Sequence, residues 1–314
     1  MKKFLTILGI AIMAAITSNA QIRSEAGVPL LKLNNGVEMP QFGIGTFNVP
    51  SNEIAADAVC YALQQGYRHI DTAHAYNDEE GVGEGIRRSG VPRDQIWVTS
   101  KLWPSDYTNA DADKAIDDML KRLGLEYIDL LYIHQPLGDY KAAYRAMLKA
   151  YKAGKIRAIG ISNFDDPDPR CVAMRNWFVD STEVRPQVMQ IECHPYAQRV
   201  EVRKYLKEKG IQLECWFPLG GAMSNGALFR DPVIKKIADA HGKSPAQIII
   251  RWHIQEGFSV IPGATDHNYI KENISTMDFA LSQYEMDQIR ALNKEKRFFN
   301  MTYDQLQGFV KGWK

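Results

Sequence analysis

Between residues 42 and 261, short β-branched or apolar segments alternate with helical patterns of ten to sixteen residues, without a linker or a break in composition. The segments 42–45, 68–71, 96–100, 128–134, 156–162, 188–190, 213–217 and 259–261 read as strands. Among the helical stretches, 52–65 opens at Ser51 or Asn52 and closes at Gly66. The stretches 110–123, 140–153 and 200–209 stop at Gly124, Gly154 and Gly210, because glycine enters the left-handed region at a helix end without steric cost. Ser244-Pro-Ala-Gln begins a further helix with proline in its first turn. Ahead of the repeat, 31–36 reads as a strand turning at Asn35-Gly36, a hairpin signal. A strand–helix unit repeated eight times predicts an α/β fold, a (β/α)8 TIM barrel with a closed parallel sheet and an N-terminal β-hairpin. A doubly wound sheet shares the alternation but usually carries a glycine-rich turn after its first strand.

The chain has 314 residues, 45% hydrophobic and 24% charged, which is ordinary for a globular protein. Its formal net charge of +1 leaves no basic excess to attract nucleic acid. Lys2 and Lys3, the apolar run 4–16 and the small-residue end Ser18-Asn-Ala20 read as a secretory signal peptide, 1–20, with a mature start at Gln21. The run is short for a membrane span, and an uncleaved anchor is the competing reading. Cleavage leaves no membrane span, a net charge of −1 and a single barrel domain, 21–314. The expected location is exported, in the periplasm, with the cytoplasm as the alternative. Lys2-Lys3 is not a twin-arginine pair, so export of a folded holoenzyme is not indicated. Cys60, Cys171, Cys193 and Cys215 are too scattered for a disulfide scaffold, and no His/Cys cluster has zinc spacing. One bridge between Cys193 and Cys215, on neighbouring strands, stays open beside the reading of buried core thiols.

In a parallel barrel, chemistry gathers on loops at the C-terminal ends of the strands. Polar side chains cluster there: Asp71 and Tyr76, Lys101 and Trp103, His134 and Gln135, Ser162 and Asn163, Gln190 and His194. A phenol ionises near pH ~10 and is a poor acid in neutral water. Beside a lysine it becomes a usable proton donor, because the cation stabilises the phenolate left behind. Taken singly, Lys101 reads as a solvated strand-end lysine and His134 as a hydrogen-bonded rim histidine. Gly81-Val-Gly-Glu-Gly85 is not a phosphate loop, since it opens a helix with no apolar strand of its own before it.

The chain resembles the aldo-keto reductase family from about residue 31 to residue 302. The resemblance rests on GIGTF from Gly43, DTAHAYNDEEGVGEGI from Asp71, TSKLW from Thr99, IHQP from Ile133, GKIRAIGISNF from Gly154 and QIECHP from Gln190. The IHQPLGDY segment and the 297–302 tail look most like the prokaryotic branch containing 2,5-diketo-D-gluconate reductases. The resemblance implies reduction of aldehyde or ketone carbonyls to alcohols by hydride transfer from NAD(P)H, without a metal. It implies Tyr76 as proton donor, with Lys101 and Asp71 lowering its pKa, and His134 orienting the carbonyl. Ser162, Asn163 and Gln190 match positions that hold the nicotinamide carboxamide, and Trp216 one that stacks on its ring. Thr46, Leu219, Thr265, Glu272 and Asn273 complete the expected cofactor bed. Trp103 and Phe47, with Trp216, would wall an apolar carbonyl pocket. Loops 106–111, 220–229 and 298–313 would select the substrate, and the protein is expected to be a monomer.

One departure is chemically specific. The family commonly carries Lys, Ser and Arg where this chain has Gly263, Ala264 and Tyr269, and the lost residues are those that grip the 2′-phosphate of NADPH. Asp266 would add repulsion there if it faces the site. NADH use, or weak discrimination, is therefore expected, unless His267 or Lys271 substitutes. A cofactor-binding sensor or interaction protein with little turnover is the alternative function. Phosphate-ester hydrolysis lacks the metal-binding carboxylates it would need.

Overall fold

The computed structural model describes residue 22 and residues 26–312, and the expected signal peptide, 1–20, lies outside the described residues. Strands β1 (Leu30–Lys32) and β2 (Glu38–Pro40) pair antiparallel. Eight strands form one parallel sheet in sequence order: β3 (Ile44–Gly45), β4 (His69–Asp71), β5 (Trp97–Leu102), β6 (Ile128–Ile133), β7 (Ile156–Ser162), β8 (Val188–Glu192), β9 (Gln212–Trp216) and β10 (Ser259–Val260). The sheet curls until parallel bridges Phe42–Val260 and Gly45–Gly263 join its two edges.

Helices α1 (Asn52–Gln64), α2 (Glu79–Ser89), α3 (Asn109–Leu123), α4 (Tyr140–Lys152), α5 (Pro169–Asp180) and α6 (Val200–Lys209) follow β3 to β8 in turn. Between β9 and β10 lie α7 (Pro232–His241) and α8 (Pro245–Gln255). Helices α9 (His267–Ile274), α10 (Gln283–Arg290) and α11 (Tyr303–Gly312) complete the described chain. The expected stops hold, with Gly124 and Gly210 as left-handed C-caps. Ser51 accepts the Ile54 N–H at the start of α1, and Ser244 closes a capping box with Gln247 on α8.

Side chains alternate across each strand, so the sheet has two packed faces. Its outer face meets the helices through residues such as Leu131, Ile133, Ile159 and Ile191. Its inner face holds a separate apolar cluster of Trp97, Leu130, Tyr132, Ala158 and Val188, joined by Leu33 and Met39 from the β1–β2 pair. That pair therefore covers the end of the sheet opposite the strand C-termini. Space inside is tight: a Cβ on Gly160 would lie 2.3 Å from the Tyr132 ring. Such overpacking typically costs ~1–3 kcal/mol. The glycines of α2 have a packing reason as well, since a Cβ on Gly81 or Gly83 would meet the Asn52 or Leu123 carbonyl oxygen at 2.2 Å.

Candidate active site

Asp71 ends β4 and is paired with Thr99 of β5. Lys101, two residues further along β5, shares the Thr99 face. This puts the lysine inside the sheet rather than on a solvated strand end, and it is fully buried. Its ammonium donates to Asp71 Oδ1 at 2.6 Å, to the Thr72 carbonyl at 2.9 Å and to Tyr76 OH at 3.3 Å. An ammonium has three donors, and all three are matched. Tyr76 closes the short turn His74–Tyr76, and Asn77 leaves it with φ 57°. His134 follows β6, its ring 5.9 Å from that of Tyr76 and near-perpendicular to it. Phe47 stands 5.2 Å from Tyr76 and Trp103 4.9 Å from His134, centroid to centroid. His74 bonds Asp106 Oδ2 at 2.6 Å, and the same oxygen accepts the Trp103 N–H at 3.0 Å, so the β4 and β5 loops are tied together.

The electrostatics correct one expectation. Burial pushes the Tyr76 phenol up to about 12; Lys101 pulls it down, whereas Asp71 pushes it further up. A carboxylate repels a phenolate, so Asp71 acts on Tyr76 only by holding Lys101. Burial alone disfavours the Lys101 ammonium, yet Asp71 and Tyr76 raise its pKa above the usual lysine value. Burial, aided by the Lys101 charge, drives His134 well below the usual histidine value, so its imidazole is neutral. The site thus combines a protonated phenol, a fixed cation and a neutral imidazole.

Beside these groups lie polar atoms that fit a carboxamide. Ser162 Oγ is buried without a hydrogen-bond partner, a costly state unless a ligand satisfies it, whereas Thr46 faces the Asp78 carboxylate. Gln190 lies within β8 rather than at its end, and its amide nitrogen donates to Asp71 Oδ2 at 2.8 Å and Glu214 Oε1 at 2.7 Å. That fixes the amide and turns its oxygen into the group left for a donor. Asn163, at φ 68°, donates to the His134 carbonyl at 3.1 Å and accepts from Trp216 Nε1 at 2.9 Å. Its side chain therefore braces His134 and Trp216, with one amide hydrogen and one lone pair left for the carboxamide expected there. A nicotinamide, when bound, supplies the hydride. A cavity beside Asn163 is lined by Gln135, Arg297, Phe299, Met301 and Tyr303, which brings part of the 298–313 segment to the site.

The aldo/keto reductase family profile matches residues 41–294. The chain belongs to the aldo-keto reductase family. It is an NAD(P)H-dependent oxidoreductase that reduces aldehyde and ketone carbonyls. Glyoxal reductase of Bacillus subtilis (strain 168) is 46% identical over 268 residues, 85% of this chain and 94% of that protein. Methylglyoxal reductase DkgA of Escherichia coli (strain K12) is 38% identical over 275 residues, 87% of this chain and 96% of that protein. Among solved structures, the Bombyx mori aldo-keto reductase in complex with NADP matches with a TM-score of 0.78 and 32% identity, covering 87% of this chain and 95% of that one. An aldo-keto reductase from a deep-sea metagenome library matches with a TM-score of 0.81 and 39% identity, covering 87% and 100%.

Several other expected residues of this reductase lie on the loop after β10 and on α9. Thr265 is exposed, Glu272 accepts from Ser244 Oγ, and Asn273 is buried in α9. Asp266 caps α9 by accepting the Asn268 N–H at 2.7 Å. His267 stacks on Tyr61 with centroids 3.8 Å apart and bonds Asp57 at 2.8 Å, so it faces α1. His194, expected at the rim, is buried on Glu192 and the Tyr196 N–H. Glu214 is the residue that sequence reasoning missed. Its carboxylate accepts from Tyr132 OH at 2.9 Å, Gln190 at 2.7 Å and Ser259 Oγ at 2.7 Å. Alternation along 213–217 could have placed it on the inner face, but its partners come from three other strands.

Proposed function

We propose that this reductase acts on small α-dicarbonyl aldehydes, with Tyr76 as proton donor and NADH as the favoured hydride source. The observation that carries the acid assignment is the Lys101 ammonium held between Asp71 and the Tyr76 hydroxyl. Hydride addition leaves negative charge on the carbonyl oxygen, and donors already aimed there stabilise the transition state more than the ground state. Tyr76 delivers the proton, Lys101 stabilises the phenolate that remains, and neutral His134 orients the oxygen. Ser162, Thr46, the Gln190 oxygen and Trp216 hold the nicotinamide end, while Leu219, Thr265, Glu272 and Asn273 serve the rest of the cofactor. Phe47 and Trp103 wall the carbonyl pocket. The substrate class is supported by the names of two relatives, glyoxal reductase and methylglyoxal reductase.

The NADH preference is supported by Gly263, Ala264 and Tyr269, none of which carries a cation, and by the commitment of His267 to Asp57 and Tyr61. Initial rates of methylglyoxal reduction with NADH and NADPH under matched conditions test both parts. Faster turnover with NADH is expected; a strong NADPH preference overturns the cofactor assignment, and no dicarbonyl turnover overturns the substrate.

The edge-to-edge bridges support closure of the sheet into a (β/α)8 barrel plugged by the β1–β2 hairpin. Residues 21–314 then form a monomeric single domain, exported after removal of 1–20. A periplasmic product beginning at Gln21 is the expected result of fractionation and N-terminal sequencing; an uncleaved cytoplasmic chain refutes export.

A further inference from the structure

His253 of α8 has both ring nitrogens against backbone carbonyls: Nδ1 is 2.7 Å from Ile249 O and Nε2 is 3.0 Å from Cys193 O. A neutral imidazole has one N–H, so in that form one of these contacts sets a lone pair against a carbonyl oxygen. The side chain is fully buried, where an unmatched pair is costly. With the proton on Nδ1, toward the shorter contact one turn back in the same helix, Nε2 is the lone-pair nitrogen. That is the arrangement in which a backbone carbonyl orients a metal-binding histidine.

Two thiols face the same spot. Cys215 on β9 pairs with Ile191, and Cys193 lies two residues beyond Ile191, so both point to the outer face beneath α8. Both are fully buried. One donor atom from each of Cys193, Cys215 and His253 lies within 4.8 Å of the others. Zinc bonds of ~2.3 Å to sulfur and ~2.0 Å to nitrogen place tetrahedral donors roughly 3.5–3.8 Å apart. The cluster needs a contraction of about 1 Å, within reach of small side-chain rotations.

We propose that Cys193, Cys215 and His253 form a buried site for one thiophilic divalent cation of the zinc type, with the Cys193 carbonyl oxygen beside it as a further donor. Two thiolates cancel the charge of a divalent ion, so the closed site adds no net charge to the core. In the neutral form it also replaces the lone-pair conflict at Nε2 with a bond. The site lies on the face of β8 and β9 opposite Gln190 and Glu214, and its role is structural: it fastens α8 to the sheet.

The test uses the full chain purified without chelators from cells grown with zinc. About one zinc per chain is expected by elemental analysis, and cobalt exchange is expected to give a thiolate-to-cobalt charge-transfer band. Cys215→Ala loses both signals and no longer shows the fall in Tm that a chelator causes in the wild type. Absence of zinc and of the cobalt band in the wild type overturns the site, as does zinc held at full stoichiometry by Cys215→Ala. A wild-type chain with two fewer titratable thiols and no metal carries a disulfide instead and equally overturns it. If Cys215→Ala does not fold, the wild-type stoichiometry and cobalt spectrum decide alone.

Discussion

The two ends of the proposed cofactor bed are built on opposite principles. At the acid end, Asp71 and Lys101 are buried and satisfy one another, so their charges stay strong and their positions are fixed. At the other end, Gly263, Thr265, Asp266, His267 and Tyr269 are exposed, and the polar groups serve local structure: Asp266 caps α9 and His267 holds Asp57. Buried charges act in a low dielectric and are costly to leave unpaired, whereas exposed ones are screened and replaceable. The chemistry is therefore rigidly specified, whereas the other end is an exposed surface on which Gly263 and Tyr269 carry no cation.

Tyr76→Phe is the hardest blow to the acid end. It removes the proton donor and should lower kcat for methylglyoxal by about 10²- to 10⁴-fold with an unchanged circular dichroism spectrum. Retained turnover would remove the assigned donor. Lys101→Met leaves Asp71 buried without its cation and should cost ~3–5 kcal/mol of stability, read from urea unfolding. A loss below ~1 kcal/mol would mean that the pair does not hold this end together. At the exposed end, Gly263→Lys with Tyr269→Arg restores two cations. Each charge-assisted contact contributes ~1.5–3 kcal/mol, so the NADPH-to-NADH ratio of kcat/KM should rise at least about tenfold per cation. No change in the ratio would place the preference elsewhere.

Two pH effects follow. Tyr76 ionises at about 12, so carbonyl reduction needs the form that prevails at every lower pH, and alcohol oxidation needs the scarce phenolate. Oxidation should climb by roughly tenfold per pH unit while reduction stays flat, in rates measured from neutral to alkaline pH. The smallest effect concerns His74, whose pKa is raised first by its hydrogen bond to Asp106. A raised folded pKa stabilises fully below the ordinary value of ~6.5 and is lost as pH rises through the folded one. Comparing the Tm of the wild type with that of Asp106→Asn across this window should show a gap that narrows with rising pH, by less than ~1 kcal/mol for a partly exposed pair.

Asp71, Tyr76, Lys101 and His134 were legible because strand-end chemistry concentrates in short segments whose residue types and order survive without coordinates. Gln190 was legible as a polar site residue but not as a bridge, because a strand-end reading says nothing about which carboxylates share its amide. Glu214 was invisible: in Gln212-Leu-Glu-Cys-Trp216 it reads as one polar residue of an alternating strand. The sign of the Tyr76 shift was equally hidden, since burial outweighs Lys101 and burial is a property of the packed site.

The sequence by itself determined the repeat of strand and helix, the helix stops, the acid chemistry and the loss of cations at Gly263 and Tyr269, all of which depend on residue type and short-range spacing. Only the tertiary structure decided what meets across the sheet. Lys101 reaches Asp71 and Tyr76 because β4 and β5 are neighbours in register. Cys193, Cys215 and His253, which have no metal-like spacing along the chain, converge because a helix covers the outer face of two adjacent strands. Hydrogen bonds and metal contacts act over a few ångströms in space. Distance along the chain does not fix distance in space until the sheet has formed.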